Sequence, residues 1–125
     1  MTNPIKVLVA EDDKLLNQLL SREVKNAGYT VLSAFDGDEA LAMAGVNHPD
    51  IILLDLIMPV KTGFEVLDEL KKNEKLKNIP VIVLSNLGQG EDMETATRLG
   101  AKGFLVKADS STSVILAKME EVLKA

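Results

Sequence analysis

Residues 51–55 read Ile-Ile-Leu-Leu-Asp, four consecutive apolar residues that end on a carboxylate. A strand with one wet face alternates apolar and polar side chains, so an unbroken apolar run signals a strand covered on both faces. Residues 81–85, Val-Ile-Val-Leu-Ser, repeat the pattern and end on a hydroxyl. Strands are therefore predicted near Ile51–Leu54 and Val81–Ser85, with three more near Lys6–Ala10, Thr30–Ala34 and Phe104–Val106. Helical periodicity follows each strand, near Lys14–Ala27, Asp38–Val46, Phe64–Asn73, Asp92–Leu99 and Thr112–Lys124. Apolar strands alternating with helices imply an α/β chain with a doubly wound parallel sheet, whose right-handed crossovers lay helices on both faces.

Local chemistry agrees with this division. Thr62 and Glu65 have the spacing of a capping box at the third helix, and Asp36 and Glu39 form a looser version at the second. Gly28 and Gly100 stand where helices end in a left-handed turn. Pro49 and Pro80 precede strands, where a missing N–H costs little. Leu15, Leu16, Leu19, Leu20, Val24 and Ala27 predict a core-facing stripe on the first helix. Met43, Met58, Met93 and Met119 read as gap-fillers, with Met93 and Met119 as candidates for a partner surface. His48 reads as a loop residue, and Lys71, Lys72, Lys75 and Lys77 as a solvated helix end.

The 125 residues suit one domain, spanning 1–125. Apolar residues make up 46% and charged residues 26%, ordinary values for a globular chain. Fourteen basic against nineteen acidic residues give a net charge of −5, so no direct nucleic-acid partner is expected. No apolar run approaches the roughly 20 residues of a membrane helix, and no export signal opens the chain, so the expected location is cytoplasmic. The absence of Cys excludes thiolate chemistry and Cys-ligated metals.

Ligands of open parallel sheets bind beyond the carboxyl ends of the strands. There the first strand delivers Glu11-Asp12-Asp13, the third Asp55, the fourth Ser85 and the fifth Lys107. Any one of these has an ordinary explanation: an acidic run caps a helix, and a strand-end Lys is solvated or in an ion pair. Their complementarity is what points to chemistry. With the first and third strands adjacent, Glu11, Asp12 and Asp55 converge. Two such charges about 4 Å apart repel by about 4 kcal/mol at an effective dielectric near 20. A cation or a proton must offset this, and all-oxygen ligands without Cys or His suit a hard divalent ion, Mg²⁺ before Ca²⁺. Lys107 adds fixed positive charge and Ser85 a donor, which describes a site for a phosphoryl group on or beside a carboxylate.

The motifs Val7-Leu8-Val9-Ala10-Glu11-Asp12-Asp13, Ile52-Leu53-Leu54-Asp55-Leu56-Ile57-Met58-Pro59, Gly63-Phe64-Glu65, Val83-Leu84-Ser85 and Phe104-Leu105-Val106-Lys107 occur in that order. Through them the chain, from Lys6 to about Leu123, resembles the receiver domain of bacterial two-component response regulators. The resemblance implies a flavodoxin-like (βα)5 three-layer sandwich with strand order 2-1-3-4-5. It implies a phosphoacceptor at Asp55, fed by a sensor histidine kinase or a histidine phosphotransfer protein. Mg²⁺ (or Mn²⁺) is implied at Glu11, Asp12, Asp55 and the backbone carbonyl of Ile57. Lys107 and Ser85 are implied to bind the phosphoryl group. Ser85 and Phe104 are implied to switch the surface of the fourth helix, fifth strand and fifth helix for an unidentified target. Such a chain is not an enzyme toward other substrates; it catalyses only its own phosphorylation and slow dephosphorylation. Asp13 is expected to be a helix cap.

Some residues depart from the family pattern. Ala108 follows Lys107 where proline is common, so the Lys107–Ala108 peptide is expected to be trans. Thr62 replaces a common acidic residue. Ile57 and Leu87 are apolar at positions that tune water access, which predicts slow self-dephosphorylation. A stand-alone receiver is expected.

Three other functions meet specific objections. An Asp-nucleophile phosphohydrolase usually carries a second Asp two residues later, where this chain has Ile57. A nucleotide- or flavin-binding module needs a Gly-, Ser- or Thr-rich phosphate loop where Glu11-Asp12-Asp13 stands. A degenerate receiver, binding partners without phosphorylation, does not need the full acidic set with Ser85 and Lys107.

Overall fold

The computed structural model describes residues 4–86, 90–107 and 110–124. Strands and helices alternate as β1 (Lys6–Ala10), α1 (Lys14–Asn26), β2 (Thr30–Ala34), α2 (Gly37–Asn47), β3 (Ile51–Asp55), α3 (Gly63–Lys72), β4 (Val81–Ser85), α4 (Gly90–Arg98), β5 (Gly103–Val106) and α5 (Thr112–Lys124). The five strands form one parallel sheet in the order β2-β1-β3-β4-β5. This is the doubly wound order expected from the resemblance.

The apolar strands have covered faces for a visible reason. Leu8, Ile52, Leu54 and Val83 pack into one core with Ala40, Val66, Leu67, Leu70 and Ala96 of α2, α3 and α4. Their neighbours Val7, Val9, Ile51, Leu53 and Ile82 pack into a second core with Val24, Ile115 and Met119 of α1 and α5. Alternate side chains of a strand point to opposite faces, so a strand between two cores is apolar throughout. The edge strands β2 and β5 are only partly covered.

Predicted punctuation is present. Thr62 and Glu65 make the full capping box at α3. Asp36 accepts from Glu39 N, while Glu39 accepts from Phe35 N, so the α2 cap is not a full box. Gly28 and Gly100 have φ of 105° and 102°, where any other residue would be strained. His48 caps α2 in the left-handed conformation, with φ 48°.

Two expectations fail, and Met119 takes the gap-filling place read for it and not the alternative surface one. The leucine stripe of α1 is mostly solvent-facing: Leu15, Leu16 and Leu19 are 65%, 44% and 41% exposed. The inner face instead follows Asn17, Leu20, Ser21 and Val24, an i, i+3, i+4, i+7 series whose polar members are satisfied by hydrogen bonds. Lys71 is only partly solvated, unlike its exposed neighbours Lys72, Lys75 and Lys77. Its Nζ donates to the carbonyls of Lys77 and Ile79 at 3.1 and 3.4 Å, and its stem lies against Gly100. Burial, with the nearby Lys102 charge, holds its pKa below the ordinary lysine value. Met119 is fully buried and cannot border a partner surface, whereas Met93 is exposed.

Candidate functional site

Register brings the chemistry to one end of the sheet. Ala10 is level with Leu54, and Ser85 with Val106. Glu11, Asp55, Ser85 and Lys107 therefore leave four strands at one edge. Gly63 allows the close approach of α3, because a Cβ there would lie 2.4 Å from the Asp55 carbonyl oxygen. Its N–H donates to the Leu56 carbonyl at 2.8 Å, closing the loop after β3.

The β1–α1 turn is held at its front by its own side chains. Asp13 caps α1 as expected, accepting from Leu16 N at 3.0 Å. Glu11 Oε2 accepts from Asp13 N at 3.1 Å. Glu11, Asp55 and Ser85 are buried, while Asp12 is exposed. Lys107 Nζ donates to Glu11 Oε1 and lies 3.3 Å from Asp55 Oδ2. One carboxylate oxygen from each of Glu11, Asp12 and Asp55 lies within 4.8 Å of the others.

The electrostatics follow from this crowding. Burial, then the hydrogen bond and charge of Glu11, raise the Asp12 pKa above its ordinary value. Burial alone would lower that of Lys107, but bonding to Glu11 and the charges of Asp55 and Glu11 outweigh it and the net shift is upward. Three oxygen donors in this arrangement fit a hard divalent cation, as Mg²⁺ requires.

The remaining predicted residues surround this cluster. Ile57 N donates to Asp55 Oδ1 at 3.4 Å, and the Ile57 side chain is 63% exposed. Phe104 is partly buried against the α2–α3–α4 core and sits level with Val83. Leu87 and the Lys107–Ala108 bond lie outside the described residues. Leu16, Leu19 and Ile115 line a hollow of about 500 Å³ that reaches Glu11 and Lys107.

Two features are absent from the sequence reading. Behind the carboxylates, Asn17 is 1% exposed and donates to the Glu11 carbonyl at 3.0 Å and the Ala34 carbonyl at 3.2 Å. Its spacing to Leu20, Ser21 and Val24 was the available signal, masked by the stronger leucine pattern. After Pro59, Lys61 N donates to Pro59 O at 2.8 Å around Val60, whose φ is 71°. This is a γ-turn of the strained form. A β-branched residue disfavours it, so no local signal announces it.

The chain is similar in sequence and in fold to known proteins. The chain is 37% identical over 105 residues to a protein of Cyanophora paradoxa named as a probable transcriptional regulator, ycf27, covering 84% of this chain and 43% of that protein. It spans about half the length of the curated relatives it matches. Among solved structures, the receiver domain of the Francisella response regulator 1452 has a TM-score of 0.89 at 34% identity, covering 98% of both chains. The chemotaxis response regulator CheY4 of Vibrio cholerae has a TM-score of 0.89 at 33% identity, covering 96% of this chain and 99% of its own. The family model described as response regulator receiver domain matches residues 7–119. That match takes in the carboxylate end of the sheet and the helices around it, so the chain belongs to the response regulator receiver domain family.

Proposed function

We propose that Asp55 accepts a phosphoryl group from the phosphohistidine of a sensor histidine kinase or a histidine phosphotransfer protein. An Asp55 carboxylate oxygen attacks phosphorus, the P–N bond breaks, and the imidazole leaves with the electron pair and gains a proton. The observation that carries this reading is Lys107 joined to Glu11 and Asp55 inside a three-carboxylate cluster.

Glu11, Asp12 and Asp55, with the backbone carbonyl of Ile57, would hold Mg²⁺ (or Mn²⁺). When bound, the ion neutralises charge developing on the transferred oxygens. Lys107 turns its ammonium from Asp55 to a phosphoryl oxygen, and the Ser85 hydroxyl donates to another. Phe104 follows Ser85, changing the surface of α4, β5 and α5 that a target protein senses. A coupling of about 1–3 kcal/mol suffices for such a switch. The chain works on itself and not as an enzyme for other substrates. Among the described residues no helix is long and apolar enough to cross a membrane. Cytoplasmic signalling by protein contact suits the net charge of −5.

Intact mass after incubation with Mg²⁺ and acetyl phosphate tests the reading. The parent should gain one phosphoryl group, and Asp55→Asn or added chelator should abolish the gain. A folded parent that gains nothing from acetyl phosphate or from phosphohistidine proteins would leave only a phosphorylation-independent binding module. Exposed apolar Ile57 beside Asp55 should keep the acyl phosphate long-lived. Polar replacements at Ile57 and Leu87 should shorten its lifetime, read by the same mass assay.

A further inference from the structure

We propose that Asn17 is a positioning residue for the acidic cluster, fixing the peptide unit from which Glu11 and Asp12 project. The inference rests on the reading of these carboxylates as the metal- and phosphoryl-binding group. Asn17 sits one turn into α1 and is 1% exposed, while Leu15, Leu16 and Leu19 around it face solvent. Burying the polar residue of a leucine-rich turn is the reverse of what packing alone selects.

The bonding explains the inversion. Asn17 Nδ2 donates to the carbonyls of Glu11 at 3.0 Å and Ala34 at 3.2 Å, with Val9 O at 3.4 Å. Ala34 O also accepts from Glu11 N at 3.0 Å. The carboxamide therefore ties the end of β1 to the end of β2. The Glu11 carbonyl belongs to the Glu11–Asp12 peptide, so fixing it sets ψ of Glu11 and φ of Asp12. Those two angles aim both side chains. Asn17 is itself held, because Ser21 Oγ donates to Asn17 Oδ1 at 3.0 Å and meets Ser33 Oγ at 3.2 Å. Its N–H donates to Asp13 O at 2.8 Å, which bonds the first turn of α1 directly to the acidic turn. Partners of this kind, one shell behind the ligands, commonly change metal affinity by about 10–100-fold.

Asn17→Leu keeps the volume and removes the donor. Val24→Ala, on the same inner face but without a bond to the acidic turn, is the control for lost stability. Mg²⁺ dissociation constants are measured by calorimetry on the folded variants, beside their melting temperatures. Asn17→Leu should weaken Mg²⁺ binding by at least about tenfold, and Val24→Ala should stay within about twofold of the parent. In the unmodified protein, the Asn17 side-chain amide resonances should shift during a Mg²⁺ titration with the same midpoint as the Glu11 and Asp12 amides. Those of Asn47 should not move. A folded Asn17→Leu variant with parental Mg²⁺ affinity, or Asn17 resonances blind to Mg²⁺, overturns the positioning role alone. A parent that binds no Mg²⁺ overturns it together with the metal reading on which it stands.

Discussion

In α3, Val66, Leu67 and Leu70 are buried against the sheet, whereas in α1 Leu15, Leu16 and Leu19 face solvent and Asn17 is buried. Both helices carry apolar residues at helical spacing. They differ in what lies beneath them. Under α3 lie Ile52, Leu54 and Val83, side chains that accept only apolar partners. Under the first turn of α1 lie the carbonyls of Val9, Glu11 and Ala34, which need a donor. One helix packs the sheet; the other also braces the turn that carries the acidic residues.

The largest effect should separate the two helices directly. Leu67→Ala in α3 should cost about 3 kcal/mol in urea unfolding, from lost burial and the cavity left behind. Leu19→Ala in α1 should cost less than about 1 kcal/mol, because that side chain is 41% exposed. Equal losses would break the comparison. A smaller test addresses how each helix is entered. The loop into α3 passes through Val60 at φ 71°, and Val60→Gly should raise stability by about 0.5–1 kcal/mol as the strain is relieved. No gain in the urea midpoint would place the strain elsewhere in the loop.

At the entry of α1 the strain is one of charge. The Asp12 pKa is raised, so the native state holds its proton more tightly than the unfolded chain. The contribution of Asp12 to stability then falls as pH rises through its native pKa and stays unfavourable at neutral pH. Asp12→Asn should stabilise the metal-free protein by about 0.5 kcal/mol at neutral pH, a small effect because water screens an exposed group. The gain should shrink below the ordinary aspartate range. Thermal melts from pH 3 to 8 read both limbs, and a gain that grows toward low pH would contradict the assigned direction.

The predicted charge end was legible because its signals are local. Glu11, Asp55, Ser85 and Lys107 each end an apolar run, and a parallel sheet puts the carboxyl ends of all its strands on one side, where the observed register brings them level. The caps at Asp13 and Thr62 were legible for the same reason, since each bond spans three residues. Asn17 was not, because its partners lie on two strands and the leucine pattern around it was stronger. Lys71 was misread because the carbonyls it bonds become neighbours only when the loop after α3 folds back on the helix.

The alternation of strand and helix, the two covered sheet faces and the identity of the acidic cluster were determined by the sequence itself, through periodicity and residue type. Only the tertiary structure decided which side of α1 turns inward, the left-handed turn at Val60 and the choice of Glu11 as a partner for Lys107, 96 residues away. These depend on how distant segments cross and stack. The energies that select them belong to pairs of surfaces, so neither segment carries the information alone.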